Sequence, residues 1–196
     1  NSLTLTILFT RMLAGAADNT ICYYDQRVDK NASHAYQLAK AVCLYSPWQF
    51  LYWYDRPSGS PQKAGGAGGA ETGIGREPEL EFFDALPTVW NDTKVIHGRI
   101  GEYAVIARRN GAEWFIGCLN SGQPRTLDVP LNFLDQGRDY LAHIYSDDPG
   151  VPTRTHVKIE RRPVDAQTVL KVAMSAQGGE AIRIVPATAQ DKVPGR

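Results

Sequence analysis

Four carboxylates stand in the first 57 residues, Asp18, Asp25, Asp29 and Asp55, and no glutamate occurs before Glu71. Carboxylates in pairs are what glycosidic-bond chemistry asks for, one to protonate the leaving oxygen and one to attack or to activate water. Asp18 and Asp55 lie beyond apolar runs, where the loops of an α/β barrel build its active site. Each also has a plainer role open to it. Asp18 before Asn19-Thr20 suits an Asx-turn, and Asp55 before Arg56-Pro57 suits a turn or an arginine partner. Arg11 is equally suited to clamp a carboxylate or to brace its own loop.

The four histidines, His34, His97, His143 and His156, are scattered and have no metal-ligand spacing. No GxSxG elbow accompanies Ser33-His34, so acyl transfer has no support. Cys22, Cys43 and Cys118 are odd in number and far apart, which fits buried thiols rather than a metal site or a disulfide framework. The glycine-rich stretch Ser58 to Gly75 holds seven of the eighteen glycines, but Lys63 is followed by Ala64-Gly65, so it lacks a phosphate-binding signature and reads as a flexible insertion.

The elements that must position these residues follow from the hydropathy pattern. Leu3 to Phe9 reads as a buried strand and Arg11 to Lys30 as a long loop. Ser33 is placed to cap a helix over His34 to Tyr45, whose apolar residues Ala35, Leu38, Ala39, Val42 and Cys43 recur at helical spacing. Trp48 to Tyr54 is apolar throughout, as in a parallel strand covered on both faces. The expected order is strand, loop, helix, strand, with Arg11, Asp18 and Asp55 on the rim at the strands' C-terminal ends. Glu79 to Leu86 reads as a short helix. From about Lys94 short strands alternate with turns: Tyr103 to Arg108, Trp114 to Leu119, Arg125 to Pro130, Tyr140 to Tyr145, Arg154 to Ile159, Val169 to Val172 and Ala181 to Val185. That texture predicts a small antiparallel sandwich after α/β elements of barrel type.

Composition narrows the partners. The 196 residues carry 21 Lys and Arg against 21 Asp and Glu, so no polybasic surface for nucleic acid or anionic lipid is implied. With 43% hydrophobic and 10% aromatic residues the chain can bury a core. No run approaches the roughly 18 apolar residues of a membrane-spanning helix. Asn1 opens the chain without Met, a charged leader or a small-residue cleavage site, so the first residues are not read as a signal peptide and compartment is not read from them.

Several long strings, in order, resemble one family. FTRMLAG, HAYQLAKAVCLYSPWQFLYWYD, FFDALPTVWNDTKVIHGRIGEYAVIARRNGAEWFIGCLN and PRTLDVPLNFL resemble the C-terminal portion of glycoside hydrolase family 97, which contains α-glucosidases and α-galactosidases. The resemblance covers Phe9 to about Val185. It implies that 1–93 are the last elements of a (β/α)8 catalytic barrel and 94–196 a C-terminal β-sandwich with a proposed oligomerisation role. It also implies calcium-assisted hydrolysis of an oligo- or disaccharide in the complete enzyme, and a periplasmic or secreted bacterial location. The family's catalytic glutamates and calcium ligands match segments that precede these, so the resemblance assigns no catalytic, cofactor-binding or metal residue to this chain. Arg11, Asp18 and Asp55 remain as substrate-proximal candidates. The family reads close to TLPFTR and MDYTPG where this chain has LTILFTR and ADNTICYY. On this reading the partner is the rest of the barrel or another copy of the chain, and the chain alone is inactive. The alternative is a stand-alone carbohydrate-binding or oligomerisation module without activity.

Overall fold

The computed structural model describes residues 1–21, 23, 26–50 and 77–188. The elements before residue 90 are α1 (Ser2–Ile7), a 3-10 turn (Arg11–Ala14), β1 (Asn19–Thr20), α2 (Gln26–Asn31), α3 (His34–Cys43), β2 (Gln49–Phe50) and α4 (Leu80–Ala85). Eight strands follow: β3 (Asp92–Arg99), β4 (Tyr103–Asn110), β5 (Glu113–Asn120), β6 (Arg125–Pro130), β7 (Tyr140–Asp147), β8 (Val157–Val164), β9 (Val169–Met174) and β10 (Gly179–Pro186).

The strands form an antiparallel six-stranded sheet in the order β3-β4-β5-β10-β7-β8 and an antiparallel pair β6-β9. Between these two layers lie Val105, Ile116, Cys118, Ile182 and Ile184 of the large sheet and Val129, Leu170, Val172 and Met174 of the small one. This is the sandwich that the succession of short strands and turns implies. The other face of the large sheet is buried as well. Ala104, Ile106, Phe115, Leu119, Tyr145 and Ala181 pack there with Leu38, Ala39 and Val42 of α3 and Phe82 of α4. A sheet covered on both faces needs apolar residues at consecutive positions, and Trp114-Phe115-Ile116-Gly117-Cys118-Leu119 supplies them.

The structure corrects the reading of the first region. Leu3 to Phe9, expected as a strand, is helical over Ser2–Ile7. A strand needs a hydrogen-bonded neighbour along its edge, whereas a helix closes its bonds within itself. The same residues also carry helical spacing: Leu5 and Leu8 are buried, and Leu3 is 75% exposed. The parallel pair is instead β1 with β2, in the register Asn19 to Gln49 and Thr20 to Phe50, so β1 and all but the last residue of α2 fall in the expected loop. Trp48 to Tyr54, expected to be covered on both faces, is strand at Gln49–Phe50. Trp48 is 66% and Phe50 40% exposed, their rings 5.3 Å apart. Residues 51–54, Asp55 and the glycine-rich 58–75 lie outside the described residues.

The helix read over His34 to Tyr45 is α3, and Ser33 Oγ accepts from Tyr36 N at 3.1 Å as the cap that sequence implied. In the sandwich, β3 precedes the first strand read from the sequence, and a bulge between Val95 and His97 interrupts its register with β4. Strand β8 begins later than Arg154. Residues 148–156 are held as a loop by Asp148 Oδ1 accepting from Gly150 N and by His156 at φ 52°.

Candidate functional site

Polar contacts from three strands converge where α3 meets the large sheet. Two glycines set the distance. A Cβ on Gly117 would overlap the Ala39 carbonyl oxygen and lie 2.7 Å from Cys43 Sγ, and one on Gly179 would lie 2.6 Å from Tyr36 Cα. The helix backbone therefore rests directly on the backbones of β5 and β10. Cys43 Sγ donates to the Gly117 carbonyl at 3.3 Å, and burial pushes that thiol up to about 12.

The sheet also holds both poles of α3. At the N-terminus, Asp147 of β7 accepts from Ala35 N through Oδ1 at 3.2 Å and from Gly179 N through Oδ2 at 3.4 Å. Burial raises the Asp147 carboxyl above its ordinary range, and hydrogen bonds from Ser33, Ala35 and Gly179 pull the other way. At the C-terminus, Arg108 of β4 donates from Nε to Val42 O at 2.8 Å and from Nη2 to Cys43 O at 3.2 Å. Its guanidinium carbon sits 5.6 Å from the Tyr45 ring centroid. An anion at the N-terminus and a cation at the C-terminus match the helix dipole and satisfy terminal groups that the helix cannot bond itself.

From α3 a polar path runs to the parallel pair. Gln49 of β2 donates from Nε2 to Ala41 O at 3.2 Å and accepts from Asn19 Nδ2 of β1 through Oε1 at 2.9 Å. Ile21 N donates to Phe50 O at 2.7 Å, and Ala17 N to Tyr45 O at 3.1 Å. Asn19 is 1% exposed. A second buried set lies beside the start of α3. Tyr23 donates to Glu79 Oε1 at 2.9 Å and stands edge-on to His34 at 5.0 Å. His34 Nδ1 is 3.7 Å from Asp29 Oδ1. Burial lowers the His34 pKa while Asp29 opposes the shift.

Asp18 is exposed and directly precedes β1, so it stands at the strand's N-terminal end rather than beyond its C-terminal end. Arg11 opens the 3-10 turn and donates to Gly15 O and Ala16 O, both at 3.1 Å, which is the loop-bracing role. Of the other histidines, His97 Nε2 bonds to Asp128 O at 2.7 Å, tying β3 to β6, and His156 Nδ1 bonds to Val151 O at 2.8 Å. Cys43 and Cys118 are buried free thiols. Among the described residues no group of three or more His, Cys, Asp or Glu is arranged to hold a metal ion. No described helix is long and apolar enough to cross a membrane.

A groove of about 950 Å³ opens beyond α4 on the same sheet face. Phe115, Arg183, His143 and Arg161 form one row across four strands in it. Arg183 makes a bidentate pair with Glu113 at 2.7 and 3.0 Å, and Arg161 reaches both oxygens of Glu81 at 2.8 and 3.0 Å. These guanidinium groups are matched by carboxylates within the chain.

The polar contacts at α3 were missed at the level of sequence. Arg108 and Asp147 sit among other charges in their strands, and nothing local marks them as caps for a helix 65 and 112 residues away. One signal was present. A lone glycine inside an apolar strand, Gly117, marks a close backbone approach.

Comparison with known proteins identifies the fold. Residues 89–185 match the family model described as glycosyl-hydrolase 97 C-terminal, oligomerisation. The chain belongs to glycoside hydrolase family 97. It is 36% identical over 113 residues to a retaining α-galactosidase of Bacteroides thetaiotaomicron, covering 56% of this chain and 17% of that protein. It is 33% identical over 175 residues to a probable retaining α-galactosidase of Streptomyces bingchenggensis, covering 89% of this chain and 24% of that one. A family 97 enzyme from Pseudoalteromonas sp. strain K8, solved with panose, superposes at a TM-score of 0.75 with 27% identity over 95% of this chain and 29% of its own. The chain thus spans less than a quarter of the curated relatives' length and corresponds to the family's C-terminal portion.

Proposed function

We propose that this chain is the C-terminal part of a retaining α-glycosidase acting on α-galactosides, in which 1–93 end a (β/α)8 barrel and the sandwich serves assembly. The observation that carries the reading is the combination of 33% identity to a probable α-galactosidase over 89% of the chain with a shared fold over 95% of it. The parallel β1–β2 pair separated by α2 and α3 supports the barrel origin, since parallel neighbours require such a crossover. An acid that protonates the leaving oxygen and a carboxylate that attacks the anomeric carbon belong, on this reading, to segments outside the chain. Calcium, implied by the resemblance, finds no set of ligands among the described residues. The panose complex of the Pseudoalteromonas enzyme favours α-glucosides as the second substrate class.

Two measurements test the proposal. The coding sequence upstream of Asn1 is expected to continue in frame for several hundred codons and to encode the missing glutamates; a start codon close to Asn1 would support the stand-alone module instead. Light scattering on the purified chain is expected to show a defined oligomer, and a strict monomer would remove the assembly role.

A further inference from the structure

We propose that the sandwich acts as a two-ended clamp on α3, with Asp147 and Arg108 as positioning residues that fix the parallel β1–β2 pair through Gln49 and Asn19. The clamp is built from four observations. Asp147 holds the first turn of α3 and Arg108 its last two carbonyls. Gly117 and Gly179 let the helix seat against the sheet backbone, so a small tilt costs contact along its length. Gln49 bonds to the helix carbonyl of Ala41 and to the buried Asn19 at once. Ile21 N and Phe50 O then close the pair two residues after Asn19.

Position therefore passes from the sandwich to the helix, from the helix to Gln49, and from Gln49 to the strand that starts next to Asp18. A side chain of Gln49 with one end on the helix and the other on Asn19 cannot keep both bonds if α3 shifts by more than the tolerance of a hydrogen bond, a few tenths of an ångström. The clamp stands on contacts within this chain and does not rest on the family reading.

The chain carries its own reporters. Cys43 lies in the α3 joint and Cys118 between the two sheets, and both are fully buried. Release of the helix exposes the first thiol and leaves the second covered, whereas global unfolding exposes both. The experiment alkylates the folded chain with iodoacetamide, assigns each labelled cysteine by peptide mass spectrometry, and follows amide exchange at Ile21 and at Ile182 by NMR. In the double variant Asp147→Ala, Arg108→Met, Cys43 labelling and Ile21 exchange are expected to rise together by at least about tenfold, the equivalent of losing one charged hydrogen bond at a buried partner. Cys118 and Ile182 keep their original rates. The conservative variants Asp147→Asn and Arg108→Lys, which retain an acceptor and a donor, recover most of the protection. Unchanged Cys43 labelling, a rise in Cys43 and Cys118 by the same factor, or a freed Cys43 with unchanged Ile21 exchange would each overturn the clamp. None of these outcomes depends on catalytic activity, so the clamp can fail while the family reading stands.

Discussion

Replacing Gly117 by alanine gives the sharpest test of how closely α3 sits on the sheet. The added methyl meets the Ala39 carbonyl oxygen, Cys43 Sγ at 2.7 Å and Val42 Cβ at 3.1 Å, and the first of these is helix backbone that cannot rotate away. The helix must back off. Overpacking of this kind costs about 1–3 kcal/mol. Loss of the bond from Cys43 Sγ to Gly117 O adds about 1 kcal/mol, and alanine recovers about 0.5–1 kcal/mol of backbone entropy relative to glycine. The net is about 1–3.5 kcal/mol, which for a chain of this size lowers Tm by roughly 2–14 °C. The assay is thermal unfolding followed by circular dichroism, with Gly111→Ala as the comparison. Gly111 sits at φ +58° with open space around its Cβ position, so alanine there costs only the left-handed conformation, about 1–2 kcal/mol. A Gly117→Ala protein melting within about 1 °C of the parent would refute the close approach.

Burial sets two opposing pH dependences. Glu180 is held at about 8 by burial, with Glu160 and Asp147 adding to the shift and Arg162 opposing it. A carboxyl raised above its unfolded value of 4.5 gives stability that is fully present below that value and lost as pH rises through about 8. Urea midpoints should therefore fall between pH 6 and pH 9, and Glu180→Gln should flatten that decline. His34 is lowered by burial, so its contribution is present above pH 6.5 and lost as pH falls below it; His34→Gln should remove the acid-side loss in the same titration. Severing Tyr23 from Glu79 by Tyr23→Phe leaves a fully buried carboxylate oxygen without its donor, which should cost about 1–3 kcal/mol by urea unfolding.

The sandwich was legible because short apolar strands are separated by turns that carry Asn110-Gly111, Ser121-Gly122 and Asp148-Pro149-Gly150. Helix α3 was legible for the same local reasons, a serine cap and apolar residues at helical spacing. The first residues were not. Thr4, Leu5, Thr6 and Ile7 satisfy period two and Leu5, Leu8 and Phe9 satisfy helical spacing, and which wins depends on whether a neighbouring strand is present to take the backbone bonds. The α3 clamp escaped for a different reason. Its partners come from β4, β7 and β10, and a cap delivered across more than sixty residues leaves no mark on the segment it caps. Asp18 was singled out as a residue following a strand. Once the strand is placed at Asn19–Thr20 the same residue precedes one.

The central proposal is that this chain supplies scaffold to an α-glycosidase whose acid and nucleophile lie elsewhere. Hydrolysis of p-nitrophenyl α-galactoside by the purified chain, with and without added calcium, tests it most directly. The account predicts no turnover above the buffer blank in either condition. Turnover that persists through purification and disappears in Asp18→Ala would place a catalytic site within these residues and contradict it.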